Sequence, residues 1–395
     1  MKNETAEGRQ ETPIHYEHSR GLPALLDNLG AALVVSTYQA GKVFTVGVHA
    51  GKLAIRFHHF EQAMGLARTP TGLMIGTKRQ IWNLPAAPPE LAECVQPEGT
   101  HDICFLARDA HFTGPTLGHD LAWCGGKLWM VNTLFNCLST IEKDSSFVPR
   151  WRPPFISEIA SEDRCHMNGL ASDETAPRYV TVLAETDEES GWRDKKKDGG
   201  CLLEVGTGRV LVRGLSMPHS PRLYKDQLFF LNSGYGRLEL ANRNGGQPQI
   251  VSALPGYTRG LDFFRGHAFV GLSKIRETNI FGGLPIGEFH NQLECGVAVV
   301  DCTTGKIVES LFFSSGVTEV FEVRALPGYT NPILSGPYPD IDSCWCLGWA
   351  FRVGPPASRR KTDRSRPLPA DHSAAAFKAL SATRCKYFAW LAKPL

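Results

Sequence analysis

Short apolar runs broken by Gly, Asn and Asp follow one another along most of the chain, and few segments keep a 3.6-residue apolar period for three turns. AALVVSTY (31–38), KVFTVGV (42–48), KLAIRF (52–57), GLMIGT (72–77) and KLWMVNT (127–133) have this form. So do RYVTVLAE (178–185), CLLEV (201–205), RVLVRG (209–214), QLFFLNS (227–233), HAFVGLS (267–273) and GVAVVD (296–301). Each is short, rich in β-branched and aromatic residues and bounded by turn formers, which predicts strands. LPALLDNL (22–29) is the one early stretch with helical character. The pattern predicts an all-β protein.

A unit recurs within it: a polar residue, a second residue and a bulky apolar anchor precede a turn and a strand. Its instances are Met64-Gly65-Leu66-Ala67, His119-Asp120-Leu121-Ala122, Asn168-Gly169-Leu170-Ala171, His219-Ser220-Pro221-Arg222, Arg259-Gly260-Leu261-Asp262 and, more loosely, Glu319-Val320-Phe321-Glu322. The spacing is roughly 50 residues, with about four strands per period, as expected of a β-propeller in which each unit is one blade. Six blades fit the length, and five or seven stay open. Too few residues follow 322–326 for three more strands, while three strands precede the first anchor. The N-terminal strands are therefore expected to complete the last blade and so remove an exposed sheet edge.

The propeller is expected over 22–342. Residues 1–21 read as a flexible polar arm. The stretch 343–395 reads as a divergent, partly disordered tail, because GPPASRRKTDRSRPLPADHS lacks hydrophobic period, with room for one short helix in AAAFKALSATRCKYFAWLAK. Lys and Arg total 42 against 40 Asp and Glu, a net charge of +2, too even for an electrostatic nucleic-acid binder or a polybasic membrane-surface protein. The 11 Cys are scattered with no C-x-x-C, so reduced thiols are expected rather than a disulfide framework or thiolate zinc site. The polar N-terminus and the lack of a long apolar run lead to the expectation of a cytoplasmic protein.

In a propeller, equivalent positions of successive inner strands converge on the axis although they lie far apart in sequence. Two residues before each anchor, that set is Met64, His119, Asn168, His219, Arg259 and Glu319, with His166 and Glu322 close by. His119, His219, Asn168 and Glu319 form a candidate donor set for a divalent metal, with Fe, Zn and Mn open. Arg259 offers a fork for a carboxylate or phosphate, and His166 and Glu322 are grouped with it as ligand-binding candidates. Among other features, His101, Asp102 and His111 are expected to cap loops. FVPRWRPPFIS (147–157) reads as a lid or as packing between blades, and GWRDKKKDGG (191–200) as a solvated hairpin tip. No G-x-S-x-G surrounds Ser216 or Ser220, and no phosphate-binding glycine loop occurs.

LVVSTYQAGK (33–42), MGLA (64–67), FVPRWRPPFIS (147–157), EDRCHMNGLA (162–171), GLSMPHSPR (214–222), TRGLDF (258–263) and VGLSKIRET (270–278) together resemble an uncharacterised bacterial family whose members carry a domain of unknown function. The resemblance implies a propeller-like fold and a bacterial cytosolic origin, and no reaction. HMNGLA is also similar, more weakly, to the turns of six-bladed lactonase and gluconolactonase-type propellers, where an Asn sits on a central divalent metal. Asn168 matches that position, but this chain offers His119 and His219 where that pattern relies on carboxylates and Asn.

The expected function is binding of a small anionic ligand at the channel mouth, with metal-activated hydrolysis if the protein is an enzyme. A protein-binding scaffold and an iron-dependent oxygenase using the same two His and a carboxylate are the rivals.

Overall fold

The computed structural model describes residues 13–92, 100–274 and 283–337. Six antiparallel sheets form the blades. Four of them are consecutive meanders with inner strands Leu66–Thr69, Gly118–Cys124, Met167–Ser172 and Pro218–Tyr224, named blades 1 to 4. Blade 5 starts at Tyr257–Phe264 and ends at Ile307–Ser315. Blade 6 has Glu322–Pro327 as its inner strand, and Ala31–Thr37, Lys42–His49 and Lys52–His59 supply the other three. The N-terminal strands thus close the ring as the sequence predicts. A parallel pair, Ile103–Leu106 with Pro332–Ser335, lies outside the blades.

One expectation at the N-terminus changes. His15–His18 is a strand, pairing antiparallel with Ile307–Ser315 as a fifth strand of blade 5, so this part of the expected arm is ordered by the sheet edge it covers. Its exposed sequence, HYEH, has no apolar alternation to announce it. The helix Leu22–Leu29 forms as expected. Gly30, left-handed at φ 60°, ends it, and Leu22, Leu26 and Leu29 bury one face against Phe44, Val46 and Phe313. Residues 1–12, the expected tail at 343–395 and the last residues of the expected propeller lie outside the described residues.

Alternation along each strand sends apolar residues between adjacent blades, where the core sits. Between blades 2 and 3, Val131 and Leu138 meet Met167, Val180 and Val182, with Trp151, Phe155 and Ile156 packed in. The 147–157 segment is therefore packing between blades. No helix among the described residues is long and apolar enough to cross a membrane.

At the axis the inner strands approach closely. A Cβ on Gly65 would lie 2.9 Å from the Asp120 backbone, on Gly169 2.8 Å from Ser220 N, and on Gly260 2.8 Å from Glu322 Cα. Glycine therefore alternates around the ring with Asp120, Ser220 and Glu322. This fixes the register of the sixth unit: Glu322 is the equivalent of Asp120, Val323 is the anchor, and Phe321 rather than Glu319 stands two residues before it.

Inside that ring four charges meet. Asp120 accepts from Arg222 at 2.8 Å and from Arg324 at 2.9 Å, and Glu322 accepts from Arg222 at 2.8 Å. Asp120 also takes the Leu121 and Leu170 backbone N–H groups, and Glu322 takes that of Val323. Asp120 is 1% exposed and Glu322 2%. Removing one partner of such a buried network strands the others, at a cost of about 3–5 kcal/mol. Asp120→Asn is expected to lower unfolding stability by that amount in urea titrations. A loss below about 1 kcal/mol would show that the cluster is dispensable.

Candidate functional site

The residues singled out from the sequence gather where the inner strands begin. In blades 2, 3, 4 and 5 the inner strand loses regular register at this level, between Gly118 and Leu121, Met167 and Gly169, His219 and Arg222, and Thr258 and Leu261. A bulge re-aims side chains, so these strands turn one residue to the mouth and others onto the axis.

Three imidazoles stand at this mouth. His119 Nδ1 lies 2.9 Å from Leu117 O and 2.8 Å from Thr133 Oγ1. His219 repeats the arrangement 100 residues on, with Nδ1 2.8 Å from Met217 O and 3.1 Å from Ser233 Oγ. Leu117 and Met217 both have positive φ, 51° and 46°, which turns each carbonyl back toward the ring. A carbonyl only accepts, so Nδ1 carries the proton and Nε2 holds the lone pair. His166 differs: its Nδ1 lies 2.9 Å from both oxygens of Asp163. None of the three Nε2 atoms has a hydrogen-bond partner among the described residues.

The rings form one cluster. His166 stands edge-to-face with His119 at 4.8 Å and 4.3 Å from the Trp192 ring. His119 contacts Phe321 at 5.4 Å, and His219 meets Tyr257 at 5.8 Å. Burial holds the His119 imidazole well below its usual range, and nearby His166 and Arg259 add to this. Burial, then Arg259, does the same to His219, which is 4% exposed. Both are neutral at pH 7. Burial also pushes up the Tyr38 hydroxyl, with the Glu319 charge adding to it.

Arg259 lies flat on Phe321, its guanidinium carbon 3.4 Å from the ring centroid, and pairs with Glu319 at 3.2 Å. Desolvation lowers the Arg259 pKa, with Glu319 opposing the shift. The arrangement changes several expected roles. Glu322, grouped with the ligand-binding candidates, sits buried in the axial ion cluster, paired with Arg222. Glu319 is held by Arg259, and the oxygen of Asn168 accepts from Thr181 at 2.7 Å. Among the described residues no three His, Cys, Asp or Glu side chains come together in a group able to hold a metal ion. The expected metal donors His119, Asn168, His219 and Glu319 thus share the mouth without forming a coordination shell, and a cation there would lie beside the Arg259 charge. Met64, also at this level, is buried and apolar.

Phe321, Asp163 and Trp192 complete the mouth and were not among the expected site residues. Phe321 was hidden by the sixth unit's register. Trp192 belongs to the expected solvated tip, yet it is 3% exposed and donates to Asp163 Oδ2 at 3.0 Å, while the following Arg193–Lys195 turn is largely solvated. Asp163, three residues before His166, was the legible one. Away from the mouth, Asp102 receives the Asn331 backbone N–H at 3.1 Å, and His101 and His111 contact backbone carbonyls of Ala92 and Ser146; His101 and Asp102 tie a loop, whereas His111 lies in the strand Asp109–Phe112. On the far side of the ion cluster, Arg68, Trp123, Ser172 and Asp262 help line a cavity of about 190 Å³ whose floor includes Arg222 and Arg324.

Solved structures similar to this chain include the nidogen/laminin complex (12% identity, 75% of this chain and 98% of that chain, TM-score 0.45). They also include a streptogramin B lyase (12%, 61% and 75%, 0.36) and a putative 6-phosphogluconolactonase from Bacteroides uniformis ATCC 8492 (10%, 71% and 81%, 0.38). No curated protein matches the sequence. Residues 20–334, which take in the helix and inner strands of all six blades, match a protein family described as a domain of unknown function (DUF4915), and the protein belongs to that family.

Proposed function

We propose that the mouth at the start of the inner strands binds a small anionic ligand that also carries hydrogen-bond donors. The observation that carries this reading is Arg259. It is backed by Phe321, donates from Nη1 to Glu319 at 3.2 Å, and has no other hydrogen-bond partner among the described residues. A guanidinium with spare donors in a partly desolvated setting favours a carboxylate or phosphate. The neutral His119 and His219 supply the complementary half: each offers an Nε2 lone pair, which accepts from a ligand O–H or N–H. Glu319 screens Arg259 when no ligand is bound and competes with the anion.

The rival readings make different use of these groups. A divalent metal, as a hydrolase or iron-dependent oxygenase would use, needs His119 and His219 to turn onto one ion beside Arg259. A protein-binding scaffold needs none of these groups.

Two outcomes are expected. In calorimetric titrations with inorganic phosphate and with citrate, wild-type protein binds at least one of them. Arg259→Gln weakens binding about 10- to 100-fold, the usual worth of a charge-assisted contact, and Glu319→Gln strengthens it. Absence of binding to either anion would defeat the reading. Stabilisation by Zn²⁺, Mn²⁺ or Fe²⁺ that is lost in His119→Ala and His219→Ala would replace it with the metal one.

The second outcome concerns pH. His119 and His219 titrate well below 6.5 when folded and near 6.5 when unfolded. Below 6.5 the unfolded chain therefore binds more protons, and stability falls as pH drops from 6.5 toward the folded values. Melting temperatures are expected to decline from pH 7 to pH 5, with a shallower slope in His219→Gln. An unchanged slope would show that this imidazole is not held neutral.

A further inference from the structure

The three imidazoles are not equivalent, and the difference lies on the side away from the mouth. His119 and His219 each give their Nδ1 proton to a neutral carbonyl. His166 gives it to a carboxylate, both oxygens of Asp163 lying at 2.9 Å. A proton arriving at Nε2 turns the ring into an imidazolium. A backbone carbonyl offers that charge only a dipole, whereas a carboxylate behind the ring compensates it directly.

The chain invests unusual backbone geometry in this pair. Asp163 and His166 both lie in the left-handed region, at φ 47° and 49°, a conformation non-glycine residues adopt rarely. The loop carrying them is pinned. Arg164 between them reaches Glu158, Glu162 and Asp187 at 2.8–2.9 Å, and Asn136 accepts the Cys165 backbone N–H at 3.0 Å. Trp192 donates to Asp163 Oδ2, and its ring meets the imidazole at 4.3 Å with the planes tilted by 42°. Ring and carboxylate are thus held in one orientation, with Nε2 left without a partner among the described residues.

Among the described residues no hydroxyl or thiol is hydrogen-bonded to that nitrogen. The hydroxyls of Thr133 and Ser233 meet the Nδ1 atoms of His119 and His219, and the Cys165 thiol is buried.

We infer that His166, oriented by Asp163, is a proton-accepting site at the channel mouth, acting on an O–H group of the bound anion or of a water carried with it. In that step the O–H bond breaks and its proton forms the new N–H bond at Nε2. The electron pair stays on oxygen, and the positive charge on the ring faces Asp163. His119 and His219 serve as hydrogen-bond acceptors. The inference rests on the anion-binding reading for its substrate class, while the His166–Asp163 pair stands on its own geometry.

Ethoxycarbonylation by diethyl pyrocarbonate, which reports on the availability of each imidazole nitrogen, tests the two separately when sites are mapped by mass spectrometry. His166 in the wild-type protein is expected to react at least about tenfold faster than His119 and His219. Asp163→Asn slows His166 and leaves the other two unchanged, and inorganic phosphate protects His166 in wild type but not in Arg259→Gln. A wild-type His166 no more reactive than its neighbours would overturn the inference, and this comparison needs no variant to fold. An Asp163→Asn protein of native circular dichroism whose His166 reacts at the wild-type rate would also overturn it. Fast, Asp163-dependent reaction without phosphate protection supports the proton acceptor and removes the anion reading. A proton NMR signal from Nδ1–H, far downfield at low pH, is expected in wild type and absent from His166→Gln; its absence from wild type counts against the pair.

Discussion

Six inner strands meet at the axis too closely for six ordinary side chains, and the ring closes only because glycine alternates with Asp120, Ser220 and Glu322 around it. The two carboxylates this leaves on the axis require Arg222 and Arg324 from the same strands. At an effective dielectric of about 20, an ion pair near 2.8 Å is worth roughly 6 kcal/mol, comparable to the several kcal/mol lost when each ion leaves water. The cluster is therefore near balance as a source of stability, and its value is geometric. Asp120 in blade 2 holds Arg222 of blade 4 and Arg324 of blade 6, and Glu322 holds Arg222 back to blade 6. Alternate blades are tied across the axis, so the mouth above them has a fixed floor.

That floor explains why the site lies where it does. Irregular register in four inner strands occurs at the level just before the ion cluster, and there His119, Asn168, His219 and Arg259 leave the regular alternation. A channel filled by paired charges on one side and opening on the other has one end where polar groups keep spare hydrogen-bonding capacity. Among the described residues the three Nε2 atoms have no partner there, and Arg259 is held by Glu319 through one of its nitrogens.

Most of the fold was legible because it depends on local patterning. The strand runs, the period near 50 and the excess of strands before the first anchor each follow from alternation and turn chemistry within a few residues. Illegible parts depended on contacts between distant segments. Phe321 and Glu319 exchange places because the sixth unit lacks the Gly-Leu pair that marks the first, third and fifth, and its register is set by how closely Gly260 approaches Glu322. Glu322 reads as a mouth residue until its alignment with Asp120 turns it onto the axis. Trp192 sits in a run of Lys and Asp, and only the ring of His166 across from it reveals that it is buried. His15–His18 has no apolar alternation because it is an exposed strand that covers the edge of blade 5 mainly by backbone pairing.

The same distinction separates the histidines. LGH at 117–119, MPH at 217–219 and RCH at 164–166 look alike in sequence, each at the start of an inner strand, with His119 and His219 its second residue and His166 just before it. The first two turn a carbonyl with positive φ onto Nδ1 and end in neutral, buried rings. In the third the histidine itself takes positive φ, and Asp163 is brought behind it. Two acceptors that stay neutral beside Arg259 favour a ligand presenting both negative charge and hydrogen-bond donors. One imidazole backed by a carboxylate can hold a proton taken from such a donor without placing an uncompensated charge next to the guanidinium. The mouth thus divides its work by what stands behind each ring, a property of the backbone conformation rather than of the histidine.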